Sequence, residues 1–334
     1  MKVFITGGTG FLGGRVARVL AAEGCSLAAL VRDPQRGGGR LPAGTRLVQG
    51  DVTDAASLRR GMEGAEAVVH MAAMVKRWAK DRSVFDAVNI GGLRNVLDAA
   101  RASGVRTVLY TSSFIAIGPT DGRTIDESWV PRERAYFNDY ERTKFEADRV
   151  ARRAAEEGYP LIVVYPGVIY GSGELTDGNI IGQVGQKYVR KKLPAIVGPG
   201  DRRQCFAVVD DVARGHWLAL TKGAPGSRYI LGGENRTTQE LLRVMESVTG
   251  IPAPKRRLPY WLASAAGRLM RLRADLTGAE PELTDEEVNI YRHEWAYSSQ
   301  RAISELGYTM TPFETGVGAL MRWLLDLEAG KASA

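Results

Sequence analysis

Two stretches of this chain combine residue types and spacings that could do chemistry: Thr111-Ser112-Ser113, and Tyr140 with Lys144 four residues on. Tyrosine titrates near a pKa of about 10 and is a poor base at neutral pH, so a nearby ammonium is needed to favour its phenolate. On a helix, residues i and i+4 share one face, and Lys144 can supply that charge to Tyr140. Tyr140 can then exchange a proton with a carbonyl or alcohol oxygen while Ser113 hydrogen-bonds the same oxygen. Tyr-x-x-x-Lys by itself also arises as an ordinary amphipathic surface pair, and a serine at a strand end also caps turns. The meaning of the three residues therefore depends on the elements that carry them.

Those elements read as an alternation of strands and helices. Residues 105–110 form a strand that delivers Ser112 and Ser113 to its carboxyl end, and a helix runs from about 138 to 157. Far upstream, the apolar run Val3-Phe4-Ile5 breaks into glycines and resumes with helical spacing, giving strand, tight turn and helix. Gly8, Gly10 and Gly13 fit the dinucleotide spacing G-x-G-x-x-G, and Gly7, Gly10 and Gly13 fit a G-x-x-G-x-x-G variant. A turn without β-carbons lets backbone amides approach a pyrophosphate, whose charge the helix N-terminus then favours.

The second strand, 26–31, ends in Val31 followed by Arg32. NAD-selective versions of this unit place an acid there for the ribose hydroxyls. Arg32 can instead neutralise a 2′-phosphate, which favours NADP and leaves NAD as the alternative, since Asp33 is adjacent. Residues 34–45 read as a loop. Asp51 ends the third strand where an adenine edge could be read, or where it simply forms a turn. The fourth strand runs into Met71-Ala72-Ala73, and small side chains at that end leave room for a cofactor. His70, inside the same apolar run, reads as a core histidine.

With these residues in place, the chain resembles the extended short-chain dehydrogenases/reductases of the NAD-dependent epimerase/dehydratase superfamily. The matching motifs are T-G-G-T-G-F-L-G at 6–13, G-D-V at 50–52, H-M-A-A at 70–73, T-S-S at 111–113, Y-E-R-T-K at 140–144 and Y-P-G-V-I-Y-G at 165–171. The resemblance implies Ser113, Tyr140 and Lys144 as the catalytic set, with Lys144 also holding the nicotinamide ribose and Asn89 in a structural or water-mediated role. It implies cofactor contacts from Gly7, Gly10, Phe11, Leu12, Gly13, Arg32, Asp51, Val52, Met71, Ala72, Ala73, Pro166, Gly167 and Val168, besides Tyr140 and Lys144. Tyr165 stands where many members carry arginine. V-R-D-P at 31–34 and the C-terminal pattern look most like the dihydroflavonol 4-reductase branch. Sugar-nucleotide epimerases usually carry an arginine seven residues before the second aspartate of a V-D-D-like segment. Counting back from Asp211 gives Gln204, with Arg202 and Arg203 beside it.

The resulting expectation is an α/β fold: a Rossmann-like doubly wound parallel sheet with a smaller C-terminal substrate-binding lobe. Residues 1–171 with the return segment 203–222 make the dinucleotide-binding domain, and 172–202 with 223–334 make the lobe. The expected activity is NADP-dependent interconversion of a largely apolar ketone or aldehyde and its alcohol. A sugar-nucleotide epimerase or dehydratase, or a non-catalytic NADP-binding regulator, is the alternative. Pocket walls are expected from Met74, Trp78, Phe114, Ile115, Tyr136, Phe137 and 168–170.

Among 334 residues, lysine and arginine exceed aspartate and glutamate by 45 − 38 = 7. That excess reads as a solvated basic surface, because no nucleic-acid-binding motif accompanies it. Two distant cysteines and three scattered histidines give no disulfide framework and no metal site. The absence of a signal-like or membrane-spanning run points to a cytoplasmic protein without membrane contact, and a homodimer is left open. Residues 255–273 read as a basic amphipathic helix, which could lie on an anionic membrane but reads better as a lid over the substrate cleft with a solvated basic face, and the chain closes on a small-residue tail from Ala329.

Overall fold

The computed structural model describes residues 1–130 and 134–331; the last three residues of the small-residue tail lie outside them. Seven parallel strands form the central sheet: β1 (Lys2–Thr6), β2 (Ser26–Val31), β3 (Arg46–Gln49), β4 (Ala67–His70), β5 (Thr107–Thr111), β6 (Leu161–Pro166) and β7 (Arg228–Leu231). Their order is β7-β6-β5-β4-β1-β2-β3. The chain winds outward from β1 in both directions, so the order reverses between β1 and β4 and opens a crevice at the carboxyl ends of those strands. Most of these strands are nearly continuous apolar runs, as a sheet covered on both faces requires; all six residues of β6 are buried.

Helices cover both faces. Phe11–Ala22 (α1) packs beside Val209–Lys222, which we call α6, and residues such as Val16, Leu20, Val212 and Leu218 seal one face. Ala55–Met62 (α2), Gly92–Ala102 (α3) and Asp139–Glu156 (α4) seal the other through Leu58, Val96 and Ala147. A third core lies outside the sheet. There Ile180–Val189 (α5), Thr238–Thr249 (α7) and Phe313–Glu328 (α10) enclose Tyr188, Met245 and Met321 against a small sheet of Glu234–Thr237, Arg203–Val208 and Val168–Tyr170. Tyr260–Thr277 (α8) and Asp285–Arg292 (α9) pack on each other.

Three expectations change here. Residues 34–45 are not all loop, because Asp33 caps a helical turn at Pro34–Gly37 that continues as a 3-10 turn to Arg40. Proline at the first position and an aspartate before it are sufficient start signals. Strand β7, in the stretch assigned to the lobe, completes the central sheet beside β6. Tyr170, expected at a pocket wall, is fully buried against the third core.

Candidate active site

The crevice begins at the glycine turn. Gly7 has φ +73°, and a β-carbon there would lie 2.6 Å from the Ala72 nitrogen; one on Gly13 would lie 2.0 Å from the Gly7 carbonyl oxygen. The turn is thus pinned against the end of β4 and against its own helix. Gly10 is the N-cap of α1 with no side chain capping the helix, and the first turn carries no acid. A β-carbon on Gly10 would meet no protein atom closer than 3.4 Å. The amides of Phe11, Leu12 and Gly13 therefore open onto a space that suits a phosphate.

Around this turn the other sequence candidates fall at carboxyl ends of strands. Asp33 is committed to its cap, accepting from the Gln35 and Arg36 amides at 2.9 and 3.3 Å. Arg32 is exposed at the end of β2. Asp51 Oδ1 accepts from Thr53 N and Oγ1 at 3.0 and 2.8 Å, so one carboxylate oxygen does form the turn. Val52 is buried. The Thr6 hydroxyl accepts from the Ala72 amide at 3.3 Å and shares a hydrogen bond with His70 Nδ1 at 2.7 Å, tying β1 to Met71, Ala72 and Ala73. Burial and the Lys144 charge push His70 down to about 3, so the ring is neutral. Pro166 ends β6 and Gly167 and Val168 follow it, the Gly167 amide donating to Leu231 O at 3.1 Å.

Ser113 caps the short helix Phe114–Ile117 at the end of β5, its Oγ accepting from the Ile115 amide at 3.3 Å. Asn138 caps α4 and sets Tyr140 in its first turn. Burial pushes the Tyr140 phenol up to about 12, and the nearby Ser113 hydroxyl offsets part of that rise. Lys144 Nζ donates to Thr111 O at 3.0 Å and lies 5.3 Å from the centre of the Tyr110 ring. Burial brings the ammonium down to about 8, partly offset by the Asp148 carboxylate. Desolvation favours the neutral, proton-donating form of Tyr140.

Two supports were not legible from local spacing. The helix before α3 widens into a π-turn over Asp86–Gly91, and the turn carries Asn89. Asn89 Oδ1 accepts from the Met74 amide at 2.7 Å, and its Nδ2 donates to Thr143 Oγ1 at 2.9 Å. It thereby clamps the crevice loop to the helix that holds Tyr140 and Lys144; π-turns often occur at such sites. Beneath the pair, buried Asp148 accepts from Ser112 Oγ at 3.3 Å and pairs with Arg152 at 3.0 Å. Tyr165 lies against this carboxylate, its phenol raised first by burial and then by Asp148.

The cleft beside Tyr140 is walled by Trp78, Arg82 and Phe85, and on the lobe side by Arg271, Asp275 and Glu286. Trp78 Nε1 donates to Asp275 Oδ1 at 2.8 Å across 197 residues of sequence, a closure no local motif signals. Phe114 and Phe137 pack edge-on against Trp295, and Ile115 is core. Cys205 is buried, with its thiol pushed up to about 11 by desolvation, as suits a packing residue. A wider concavity lined by Lys2, Cys25 and Thr45 lies at the amino ends of the strands, opposite this chemistry.

A doubly wound parallel sheet with a glycine turn at its switch point is the frame of an NAD(P)-dependent α/β oxidoreductase. The profile of the "NAD dependent epimerase/dehydratase family" matches residues 3–232, and the chain belongs to that family. A "Putative dihydroflavonol 4-reductase" of Synechocystis sp. is 32% identical over 325 residues, spanning 96% of this chain and 93% of that protein. The 2-alkyl-3-oxoalkanoate reductase of Stenotrophomonas maltophilia is 27% identical over 303 residues, spanning 85% and 87%. The crystal structure of gox2253 superposes with a TM-score of 0.81 at 29% identity, covering 99% of each chain. The protein is thus an NAD(P)-dependent oxidoreductase of the extended short-chain type.

Proposed function

We propose that this protein is an NADPH-dependent reductase of a largely apolar ketone or aldehyde, working reversibly on the corresponding alcohol. The observation that carries the reading is the gathering of Ser113, Tyr140 and Lys144 about the carboxyl end of β5, in a sheet whose β1 leads through the glycine turn into the uncapped N-terminus of α1. The names of the two reductase relatives point the same way, since both describe reductions.

The glycine turn with Phe11 and Leu12 would hold the pyrophosphate and Arg32 the 2′-phosphate. Asp51 and Val52 would border the adenine, and Met71, Ala72 and Ala73 the middle of the cofactor. Lys144, with Pro166, Gly167 and Val168, would take the nicotinamide end. When bound, NADPH supplies the hydride. Ser113 hydrogen-bonds the substrate oxygen and orients it, and Tyr140, neutral at working pH, gives that oxygen its proton. Lys144 favours the phenolate left behind, and Asn89 keeps Tyr140 and Lys144 at a fixed distance from the crevice.

Cofactor preference is expected to rest on Arg32. Substituting it by alanine should weaken NADPH binding by roughly 10-fold, a modest figure because an exposed charge is screened, and leave NADH binding unchanged. Titration of both cofactors checks this; equal losses, or tighter NADH binding by the parent, would count against the assignment.

An apolar substrate is favoured over a nucleotide sugar because the cations near the expected diphosphate position are already engaged. Arg203 pairs with Glu294 at 2.9 Å, Lys76 with Glu280 at 3.5 Å and Arg202 with Asp201 at 3.7 Å, and Gln204 carries no charge. A buried diphosphate without cationic partners is costly. Calorimetry with UDP and UDP- and TDP-sugars, set against turnover of hydrophobic aldehydes and ketones, tests the reading. Turnover of apolar carbonyls without nucleotide binding is expected. Tight nucleotide-sugar binding with no carbonyl reduced would move the protein to the epimerase side of its family.

A further inference from the structure

Helix α8 is inverted relative to one that serves only its own core. Its buried positions are small, Ala263, Gly267 and Ala274. Its large apolar side chains face solvent instead: Trp261 is 71% exposed, Leu269 70%, Leu272 54% and Leu276 88%. At about 100° of rotation per residue these four, with exposed Ala265, form one stripe along the whole helix. The solvated basic face expected from sequence is therefore a leucine face with basic borders. Arg268 flanks the stripe on one side and Arg273 on the other, both exposed, and exposed Lys255, Arg256 and Arg257 precede the helix. The nearby acids turn toward the body: Asp275 accepts from Trp78, Glu280 pairs with Lys76, and Asp285 and Glu286 pair with Arg271, Asp285 lying also 3.7 Å from the exposed Arg268.

We propose that this outer face of α8 docks the protein on an anionic lipid bilayer, with the helix lying in the interface plane. Apolar side chains would enter the headgroup boundary while the bordering arginines meet lipid phosphates. A second copy of the chain is the competing occupant. Two-fold pairing would bring Arg268 and Arg273 toward their own copies, a like-charge arrangement, whereas lipid phosphate complements both. The inner side of the same helix contributes Arg271 and Asp275 to the cleft beside Tyr140. Docking would thus hold the cleft about one helix diameter from the bilayer, roughly 10 Å, which suits a substrate that partitions into lipid.

Flotation of the full-length protein with phosphatidylcholine liposomes, with and without phosphatidylglycerol, tests the proposal. The bound fraction on anionic vesicles is expected to exceed that on neutral ones by about 10-fold and to fall with added salt. Combined Leu269→Gln, Leu272→Gln and Leu276→Gln should abolish flotation. Combined Arg268→Gln and Arg273→Gln should remove the anionic preference. Near-UV circular dichroism and turnover of a water-soluble carbonyl should match the parent in both variants. Should the triple variant misfold, Leu276→Gln alone, at the most exposed position, should still reduce flotation severalfold. The proposal is overturned by a parent that does not float with anionic vesicles, or by leucine variants that float as the parent does. It is also overturned by a parent dimer that the leucine substitutions convert to monomer without any vesicle binding.

Discussion

Tyr140→Phe is expected to lower turnover by about 1,000-fold or more, while NADPH affinity stays within roughly two-fold of the parent. The ring is half-buried and packs against the core formed by the α2, α3 and α4 face of the sheet, so phenylalanine preserves the packing. What disappears is the hydroxyl near Ser113, which burial keeps protonated up to about 12. His70 does not replace it as an acid, because its ring is tied to Thr6 and burial holds its pKa down to about 3. Single-turnover kinetics with fluorescence titration of NADPH separate the two effects. A variant that turns over at the parent's rate would remove Tyr140 from the mechanism.

Lys144→Ala is expected to damage both steps, lowering turnover by about 1,000-fold and weakening NADPH binding by about 10-fold. The side chain is buried, donates to the Thr111 carbonyl and faces Asp148, so its loss leaves a buried acceptor and an acid with one cation fewer. The pH dependence identifies the group. Burial brings Lys144 from its ordinary 10.5 down to about 8, so reductive kcat/KM, which reports the free enzyme, should fall as pH rises through about 8. Stability moves the opposite way. Between about 8 and 10.5 the unfolded chain holds the proton that the folded protein has released, so stability rises with pH across that window. Lys144→Ala should lose both the kinetic limb and this rise. A variant that retains the alkaline limb would assign the titration to another group.

The parts of the site legible in sequence are those fixed by short spacing. The glycine turn, the serine at the end of β5 and the Tyr-Lys pair each depend on a few consecutive residues whose geometry any strand or helix imposes. Even there two registers of the glycines fit the spacing, and the close approach of Gly7 to Ala72 is a contact that spacing does not show. The parts that stayed hidden are contacts across long loops. Nothing near Asn89 announces that its helix widens into a π-turn and reaches Thr143. Nothing near Trp78 announces Asp275. Strand β7 was hidden for another reason: its four residues are too short a run to distinguish a seventh strand from a lobe strand, and pairing with β6 decides it. In α8 the sequence carries the leucines and arginines plainly, but the same pattern serves a helix facing inward. Only the position of Ala263, Gly267 and Ala274 against α9 and the body shows which face turns out.

The central claim is that a hydride passes from the reduced nicotinamide to a carbonyl carbon and stays there. Incubation with NADPH deuterated at both C4 positions and a hydrophobic ketone, followed by mass spectrometry of the alcohol, tests it directly. The expected product carries one deuterium at the carbinol carbon, and Tyr140→Phe forms almost none. An alcohol formed without deuterium, or no alcohol from any apolar carbonyl while a nucleotide sugar is epimerised or dehydrated with its cofactor recycled in place, would contradict the assignment.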